Sequence, residues 1–479
     1  MLKLFTRVFF YLAVIACALS AQSSQTRAQT GVRYIDYTEA QPILRLLDEI
    51  APAELKGKPP EAQAALWLDW VKARDAAVRA RLRQGDEDTL INFLLFGSSF
   101  TKQPRVTAVE LQRLKQAPKA EEASKIINAR IDDLLRGLAA PGANERLLFL
   151  RKLVAQQGHK AAIAEGRARL REYLFINLRR VLNEQESYEQ AIAAARLQGG
   201  ANEEFVERSK LYRTRGLSLD TTLSPNLAVE ESLKALKARG LFAAGGVKKV
   251  AIIGPGLDFT DKAAGYDFYP EQTIQPFALI DSLLRTGLAM TGALQVTAFD
   301  ISPRVLDHLN RARDRAARGP HGPRGYGYTV QLPHDPNMNW KPEWVSFWKN
   351  FGDRIGKPAT AAAAAAGLSG LKLRAVRINP SIVRLITPVD LNVVFQRSIR
   401  AENFDLIIAT NILVYYDVFE QSLALLNIES MLRPGGLLLS NNALLELPVT
   451  RMKSAGYQTT VYSDRENDGD HIVWYQRLQ

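Results

Sequence analysis

The spacing of hydrophobic residues changes midway along the 479-residue chain. From about Thr38 to Gly240 apolar positions recur at helical intervals, which is typical of amphipathic helices packed by one face. One face of the segment Pro60–Leu82 carries Leu66, Trp70, Ala77 and Leu82. Further helices are predicted over Glu121–Gly142, Asn144–Ala155, Lys160–Val181 and Ser187–Leu197. The pattern predicts an all-α domain over residues 31–240.

After Val247 short β-branched runs alternate with helical segments. Five strands are predicted, at VKKVAIIGPG from Val247, LQVTAFDIS from Leu294, within Leu371–Asn392, FDLIIATN from Phe404 and GGLLLSNNA from Gly435. The helical patterns cover Ile274–Leu288, Pro303–Ala317 and Phe419–Leu432. This alternation predicts a parallel sheet covered on both faces. YQTTVYSD and DHIVWYQRLQ then predict a terminal antiparallel pair, so residues 247–479 should form a Rossmann-like α/β domain.

An insertion over residues 319–370 interrupts this domain. It is rich in Gly, Pro and aromatic residues and ends in PATAAAAAAGLSG, which has the composition of a linker. Trp340, Trp344, Phe347 and Trp348 recur at helical spacing. They predict either a short amphipathic helix packed on the domain or a lid over the strand ends.

The composition is that of a globular protein, with 47% hydrophobic and 23% charged residues. The net charge of +12 would attract anionic partners. However, Lys and Arg are interspersed with acidic residues in the helical segments, and no basic run is interleaved with aromatics. The charge is therefore interpreted as solvated helix faces, and nucleic-acid binding is not favoured.

The first 21 residues have the pattern of a secretory signal. Lys3 and Arg7 precede an apolar run, Val8–Ala18, and small residues follow. The run is shorter than the roughly 20 residues that span a membrane. Cys17, the single cysteine, is either the lipid-bearing residue of a lipoprotein signal or an ordinary apolar position within it. Both alternatives predict an exported protein, periplasmic or anchored to the membrane by its N-terminal segment.

The residues that follow each predicted strand carry the candidate chemistry, because ligands of open parallel sheets bind beyond the carboxyl ends of the strands. Gly254 and Gly256 follow the first strand, and Phe259 stands where a dinucleotide fingerprint would have a third glycine. Asp300 ends the second strand and either accepts ribose hydroxyls or caps the following helix. Asp390-Leu391-Asn392 could flank an adenine edge after the third strand.

Together these motifs resemble class I S-adenosylmethionine-dependent methyltransferases over residues 247–479, and most closely the CheR-type methyltransferases. The TNILVYYD stretch from Thr410 is similar to that family's RNVLIYFD, and FDIS from Phe299 is similar to its TDIS. QPFALIDSLL from Gln275 resembles a helix start in which the family has a glutamate before the proline. LRPGG and the terminal hairpin also fit, and both weaken a dehydrogenase interpretation.

The resemblance implies a role for each matching position. Asp300 would hold the ribose hydroxyls of S-adenosylmethionine, and Gly254 and Gly256 would pass under its methionine part. The other cofactor-binding positions that it implies are Gln275, Ile301, Asp390, Leu391 and Asn411. Tyr415 would face the transferred methyl group as the candidate catalytic residue.

Two functions follow from these residues. The first is an S-adenosylmethionine-dependent methyltransferase whose acceptor, a protein or a small molecule, the sequence does not identify. The second is an exported, non-catalytic methyltransferase-like scaffold, because the cofactor is made in the cytoplasm. The five histidines have no metal-ligand spacing, so no metal site is predicted.

Overall fold

The computed structural model describes residues 31–106, 120–199, 211–212, 215–259, 266–318, 327–363, 370–399, 403–441, 443–465 and 468–479. The helices are α1 (Tyr37–Leu46), α2 (Pro60–Phe96), α3 (Ala120–Ala139), α4 (Glu145–Gln156), α5 (Ala164–Gly199), α6 (Ser224–Ala238), α7 (Gln275–Arg285), α8 (Pro303–Ala317), α9 (Pro342–Asn350), α10 (Pro380–Leu385) and α11 (Val418–Met431). The strands are β1 (Val32–Tyr34), β2 (Lys249–Ile253), β3 (Gln295–Asp300), β4 (Tyr328–His334), β5 (Gly356–Ala359), β6 (Lys372–Ile378), β7 (Ile386–Asp390), β8 (Gln396–Ser398), β9 (Phe404–Ala409), β10 (Leu432–Ser440), β11 (Met452–Val461) and β12 (Gly469–Arg477).

A seven-stranded sheet organises the C-terminal half, in the order β11-β12-β10-β9-β2-β3-β7. The five strands from β10 to β7 are parallel, whereas β12 is antiparallel to both β10 and β11. The order reverses at β2, since the chain first builds outward to β7 and then returns through β9. The predicted Rossmann-like sheet with its terminal antiparallel pair is confirmed, and the reversal creates the crevice in which such sheets bind ligands.

Both faces of this sheet are buried, as the uninterrupted apolar runs predict. Val250 and Ile252 of β2 point into one core, together with α6 and α7. Ala251 and Ile253 point into the other, which includes α11. Alternate residues of each strand thus supply opposite cores, because strand side chains alternate between faces.

The range Leu371–Asn392 contains two strands with different partners. β6 pairs antiparallel with β4 and β5 in a separate three-stranded sheet, while β7 alone joins the large sheet beside β3. The insertion therefore extends through Ile378, beyond its predicted end at residue 370. Within it, α9 buries Trp344 and Phe347 in the core that also holds α6, so the packed-helix alternative is confirmed. Residues 364–369 of the alanine-rich segment lie outside the described residues.

The N-terminal segment is not all helical, since β1 pairs with β8. Trp67 and Trp70 of α2 lie in the same core as the large sheet, and α6 lies in the core of its other face. A third core joins the C-terminal half of α2 to α3, α4 and α5. α2 continues past the predicted end at Leu82, and α5 spans two predicted helices as one. The predicted signal segment 1–21 with Cys17 lies outside the described residues.

Candidate functional site

A cavity of about 650 Å³ lies beyond the carboxyl ends of the parallel strands. Its volume is within the range of small-molecule sites. Eight of the nine positions singled out from the sequence line it: Gly254, Gly256, Gln275, Asp300, Ile301, Leu391, Asn411 and Tyr415. These residues are distant in sequence and meet because β2, β3, β7 and β9 end at one edge.

The Gly254–Gly256 loop requires its glycines for steric reasons. Gly254 has a φ of 66°, and a Cβ built there would lie 2.2 Å from Cδ1 of Ile412. Gly256 has a φ of 67°, and its Cβ would lie 2.6 Å from the carbonyl oxygen of Leu219. Positive φ and close approach both exclude larger residues. The loop therefore passes tightly between the turn after β9 and the segment that precedes α6.

Asp300 is a buried carboxylate at the end of β3, with only 5% of its surface exposed. Its Oδ1 accepts a hydrogen bond of 2.8 Å from the backbone N–H of Ser302. Burial raises the pKa of Asp300 to about 7, although backbone N–H groups of Ser302, Ile301 and Gly256 oppose the rise by bonding to the charged form. Ser302 itself occupies the N-cap of α8, so Asp300 is not the cap of that helix.

Asp390 is the one predicted position that does not line the cavity. Its backbone is paired with that of Asp300 across β7 and β3, but its half-exposed side chain forms an ion pair of 2.8 Å with Arg79. Arg79 of α2 also contacts Asp75 at 3.1 Å. The opposite charge supplied by α2 thus draws Asp390 away from the expected adenine side, where Leu391 and Asn392 remain.

Asn411 has the only positive φ among the described non-glycine residues, at 58°. Its N–H donates to Oδ1 of Asn441 at 2.7 Å, and Nδ2 of Asn441 donates back to Oδ1 of Asn411. This pair ties the end of β9 to the end of β10. Such strained backbone at a strand end is characteristic of ligand sites. Beside it, Nε2 of Gln275 donates to Oγ1 of Thr410 at 2.7 Å.

Tyr415 lies in a 3-10 turn between β9 and α11. Its hydroxyl accepts the N–H of Ser218 at 3.4 Å, and its ring packs edge-on against Tyr212 with centroids 5.3 Å apart. Burial raises the pKa of this phenol well above its ordinary value, so it stays protonated at neutral pH. Asp417, two residues on, caps α11 by accepting the N–H of Glu420 at 2.8 Å.

Sequence reasoning missed the wall opposite the strand ends, which α2 and the segment 215–222 supply. Arg81 of α2 holds that segment in place, donating to the carbonyls of Tyr212 at 2.7 Å, Arg215 at 3.0 Å and Tyr415 at 3.1 Å. Burial lowers the pKa of its guanidinium. A Cβ on Gly85 would lie 1.9 Å from the carbonyl oxygen of Leu217, so the helix and the segment touch through their backbones. A glycine inside a long helix is the one sequence signal of this contact.

The same wall continues along α2 and α5. Gly85, Asp88, Thr89 and Asn92 line the cavity at helical spacing on α2, and Val181, Glu184 and Gln185 do so on α5. The polar residues of QGDEDTLIN stand out because the rest of this end of α2 is apolar. They are the sequence pattern that could have indicated that this side of α2 lines a cavity. In the described ranges no cluster of three or more His, Cys, Asp or Glu residues could hold a metal ion. None of the helices seen there combines the length and apolar character needed to cross a membrane.

The fold and the cavity together define an open, Rossmann-like α/β protein with a candidate ligand site at the reversal of its strand order. No family model and no curated protein matches the chain. Solved structures similar to it include the N-methyltransferase NodS from Bradyrhizobium japonicum in complex with S-adenosyl-L-homocysteine, at 14% identity, covering 62% of this chain and 100% of that one with a TM-score of 0.25.

Two further structures are similar at the same level. Magnesium protoporphyrin IX methyltransferase from Synechocystis, with bound S-adenosylmethionine, has 10% identity over 58% of this chain and 85% of that one, with a TM-score of 0.24. The mitomycin 7-O-methyltransferase MmcR has 12% identity over 88% of this chain and 100% of that one, with a TM-score of 0.26. Similarity at this level assigns neither a substrate nor a reaction to this chain.

Proposed function

We propose that this protein is an S-adenosylmethionine-dependent methyltransferase. The observation that carries the proposal is the cavity at the carboxyl edge of the sheet, into which β2, β3, β7 and β9 each deliver a candidate residue. Packing of the core would not require a glycine loop after β2, a buried carboxylate at the end of β3 and a strained asparagine after β9.

The lining fits the parts of that cofactor. Asp300 would accept the two ribose hydroxyls, and their hydrogen bonds would favour its ionised form and lower its pKa from about 7. Gly254 and Gly256 bring backbone rather than side chain to the cavity wall, so the methionine part can lie directly against this loop. Ile301 and Leu391 offer apolar contact for the adenine. Asn411 and Gln275 present amide groups along the remaining edge.

The cofactor, when bound, supplies an electrophilic methyl group on a sulfonium. The residues of this chain would orient the acceptor against it and keep water out, which is the main source of rate in such a displacement. Tyr415 contributes a protonated phenol and an aromatic face beside the cationic centre rather than a base.

The resemblance to CheR-type enzymes supports assigning cofactor-binding residues at the strand ends, but it does not extend to the residues that would bind the acceptor. The similar stretches, FDIS and TNILVYYD, belong to the ends of β3 and β9. The opposite wall comes from α2, α5 and the segment 215–222, where no CheR-type motif was found. The acceptor is therefore not carried over from that family.

Calorimetry of the purified protein with S-adenosylmethionine and S-adenosylhomocysteine tests the proposal. We expect both to bind, and we expect Asp300→Ala to weaken binding by at least about tenfold, since a charge-assisted hydrogen bond contributes roughly 1.5–3 kcal/mol. The exposed Asp307, on α8, provides the matched control Asp307→Ala. If neither compound binds at millimolar concentration, the proposed methyltransferase function is refuted. If Asp300→Ala binds them as tightly as the parent, only the assignment of Asp300 to the ribose is refuted.

The compartment is a separate proposal, supported by the signal pattern of residues 1–21. We expect the protein in the periplasmic or membrane fraction of fractionated cells. Recovery of an uncleaved chain in the cytoplasmic fraction would remove both the export proposal and the main reason for a non-catalytic scaffold.

A further inference from the structure

The cavity extends past the strand ends into a polar recess, here called the acceptor recess. It is lined by Asp88, Thr89 and Asn92 of α2, Glu184 and Gln185 of α5, and Asp220. None of these residues belongs to the strand ends that would hold the cofactor. A ligand in the recess would thus face the cofactor-binding edge across one continuous cavity.

Two side chains in the recess lack the partners that buried polar groups normally have. Thr89 is 4% exposed and Asn92 is 6% exposed. Within the described part of the chain, neither side chain makes a hydrogen bond. Their polar atoms face the cavity and are not enclosed by protein. Both line the cavity, so a bound molecule can supply the missing partner.

The charge of the recess is negative. Asp88, Glu184 and Asp220 contribute three carboxylates, whereas Arg215 and Arg180, which pairs with the first two carboxylates at 2.6 and 3.1 Å, contribute two positive charges. Among the described residues that line the cavity there is no lysine and no histidine. The lining guanidinium, Arg215, is already engaged, because it donates to the carbonyl of Glu184 at 2.8 Å and lies 4.7 Å from the ring of Tyr188.

We propose that the acceptor recess binds a small polar amine, with Asn92 and Thr89 as its hydrogen-bonding residues and the carboxylates as its charge partners. This inference rests on the methyltransferase function. A cationic amine is attracted by the carboxylates, whereas an anionic acceptor is repelled by them. A hydroxyl acceptor carries no charge, so it gains less than a cationic amine from the carboxylates of the recess.

The reaction balances without a further reagent. The ammonium group first loses a proton to a carboxylate or to water, which exposes the nitrogen lone pair. The nitrogen then bonds to the methyl carbon, the carbon–sulfur bond breaks, and its electron pair stays on sulfur. The products are the N-methylated amine and S-adenosylhomocysteine, and the positive charge lost from sulfur appears on nitrogen.

Matched probes test the proposal on the full-length protein saturated with S-adenosylhomocysteine. Ethanolamine, ethylene glycol and glycolate form one series, and glucosamine, glucose and glucuronate form another. Each series keeps its size while its charge changes. Saturation-transfer NMR and calorimetry should show that the amine of at least one series binds about tenfold more tightly than its carboxylate analogue, since one charge-assisted contact is worth about that factor.

Variants locate the binding. Asn92→Leu and Glu184→Gln should each weaken amine binding several-fold while the affinity for S-adenosylhomocysteine stays unchanged. Asn128→Leu, at a half-buried amide on α3 that does not line the cavity, is the control for general effects of the substitution. If S-adenosylhomocysteine binds but the carboxylate probes bind as well as the amines, or no amine binds at all, the amine inference is overturned and the methyltransferase function stands. If S-adenosylhomocysteine itself does not bind, both fail.

Discussion

Replacing Asp300 by asparagine should make the protein more stable at high pH while weakening its ligand site. Burial raises the pKa of Asp300 to about 7 from an ordinary value of 3.8. The two values differ by about 3 pH units, and each unit corresponds to about 1.4 kcal/mol. Keeping this carboxylate ionised in the folded, ligand-free protein therefore costs up to about 4 kcal/mol.

The sign of the effect follows from which state holds the proton. Between about pH 4 and pH 7 the folded protein keeps a proton on Asp300 that the unfolded chain has lost. Stability accordingly falls as pH rises through this window and is level above it. Asparagine does not titrate, so the free energy of unfolding of Asp300→Asn relative to the parent should increase by up to about 3 kcal/mol from pH 5 to pH 8.

Urea unfolding followed by tryptophan fluorescence at both pH values measures this difference. Asp307→Asn, which removes an exposed carboxylate from α8, shows the effect of net charge alone. Affinity of the parent for S-adenosylhomocysteine should rise from pH 5 to pH 7, because only the ionised carboxylate accepts both hydroxyls. Parallel stability curves for the parent and Asp300→Asn would refute the buried environment described for this residue.

Three further substitutions test the remaining parts of the site. Gly254→Ala should lower the affinity for S-adenosylhomocysteine at least tenfold by calorimetry, because a Cβ meets a side chain at 2.2 Å on a backbone with positive φ. Arg81→Ala removes hydrogen bonds to three carbonyls and should destabilise the protein by about 3–5 kcal/mol in urea unfolding, with loss of ligand binding. Trp344→Ala leaves a cavity in the core around α9 and should cost about 3–5 kcal/mol without changing ligand affinity, measured by the same two methods.

Each of these substitutions has its own control or contrary result. Gly292→Ala places a Cβ in open space and should leave the affinity unchanged. Arg83, two residues after Arg81, lies on another side of α2, and Arg83→Ala removes only an exposed hydrogen bond to Gln157, so it should have little effect. Ligand affinity lost in Trp344→Ala, at a temperature where the variant is folded, would mean that α9 does belong to the site.

Positions near the strand ends could be predicted from the sequence because their signals are local. A run of β-branched residues specifies burial, and the next residue along is then at the sheet edge. This logic located Gly254, Gly256, Asp300 and Asn411, all of which line the cavity. The terminal antiparallel pair β11–β12 was likewise predicted from the alternation of apolar and polar residues alone.

Other features depended on contacts between distant parts of the chain. Asp390 follows a strand as Asp300 does, yet Arg79 of α2 attracts its side chain out of the cavity. β6 has the pattern of a sheet strand, but its partners β4 and β5 put it in a different sheet. The hydrophobic pattern near Asp390 and β6 does not indicate either arrangement, because the residues that cause it, Arg79 and the strands β4 and β5, lie elsewhere in the sequence.

The α/β half, its strand ends and the residue types that meet there follow from local sequence, because the backbone conformation and burial of a strand are encoded within a few neighbouring residues. That α2, α5 and the segment 215–222 line the other side of the cavity depends instead on how distant parts of the chain pack together. Arg81 reaches across from α2 to the carbonyl of Tyr415 in the turn after β9, and Gly85 brings two backbones into contact. Such contacts between distant residues form only when the cores on the two sides of the sheet assemble, so no local sequence pattern predicts them.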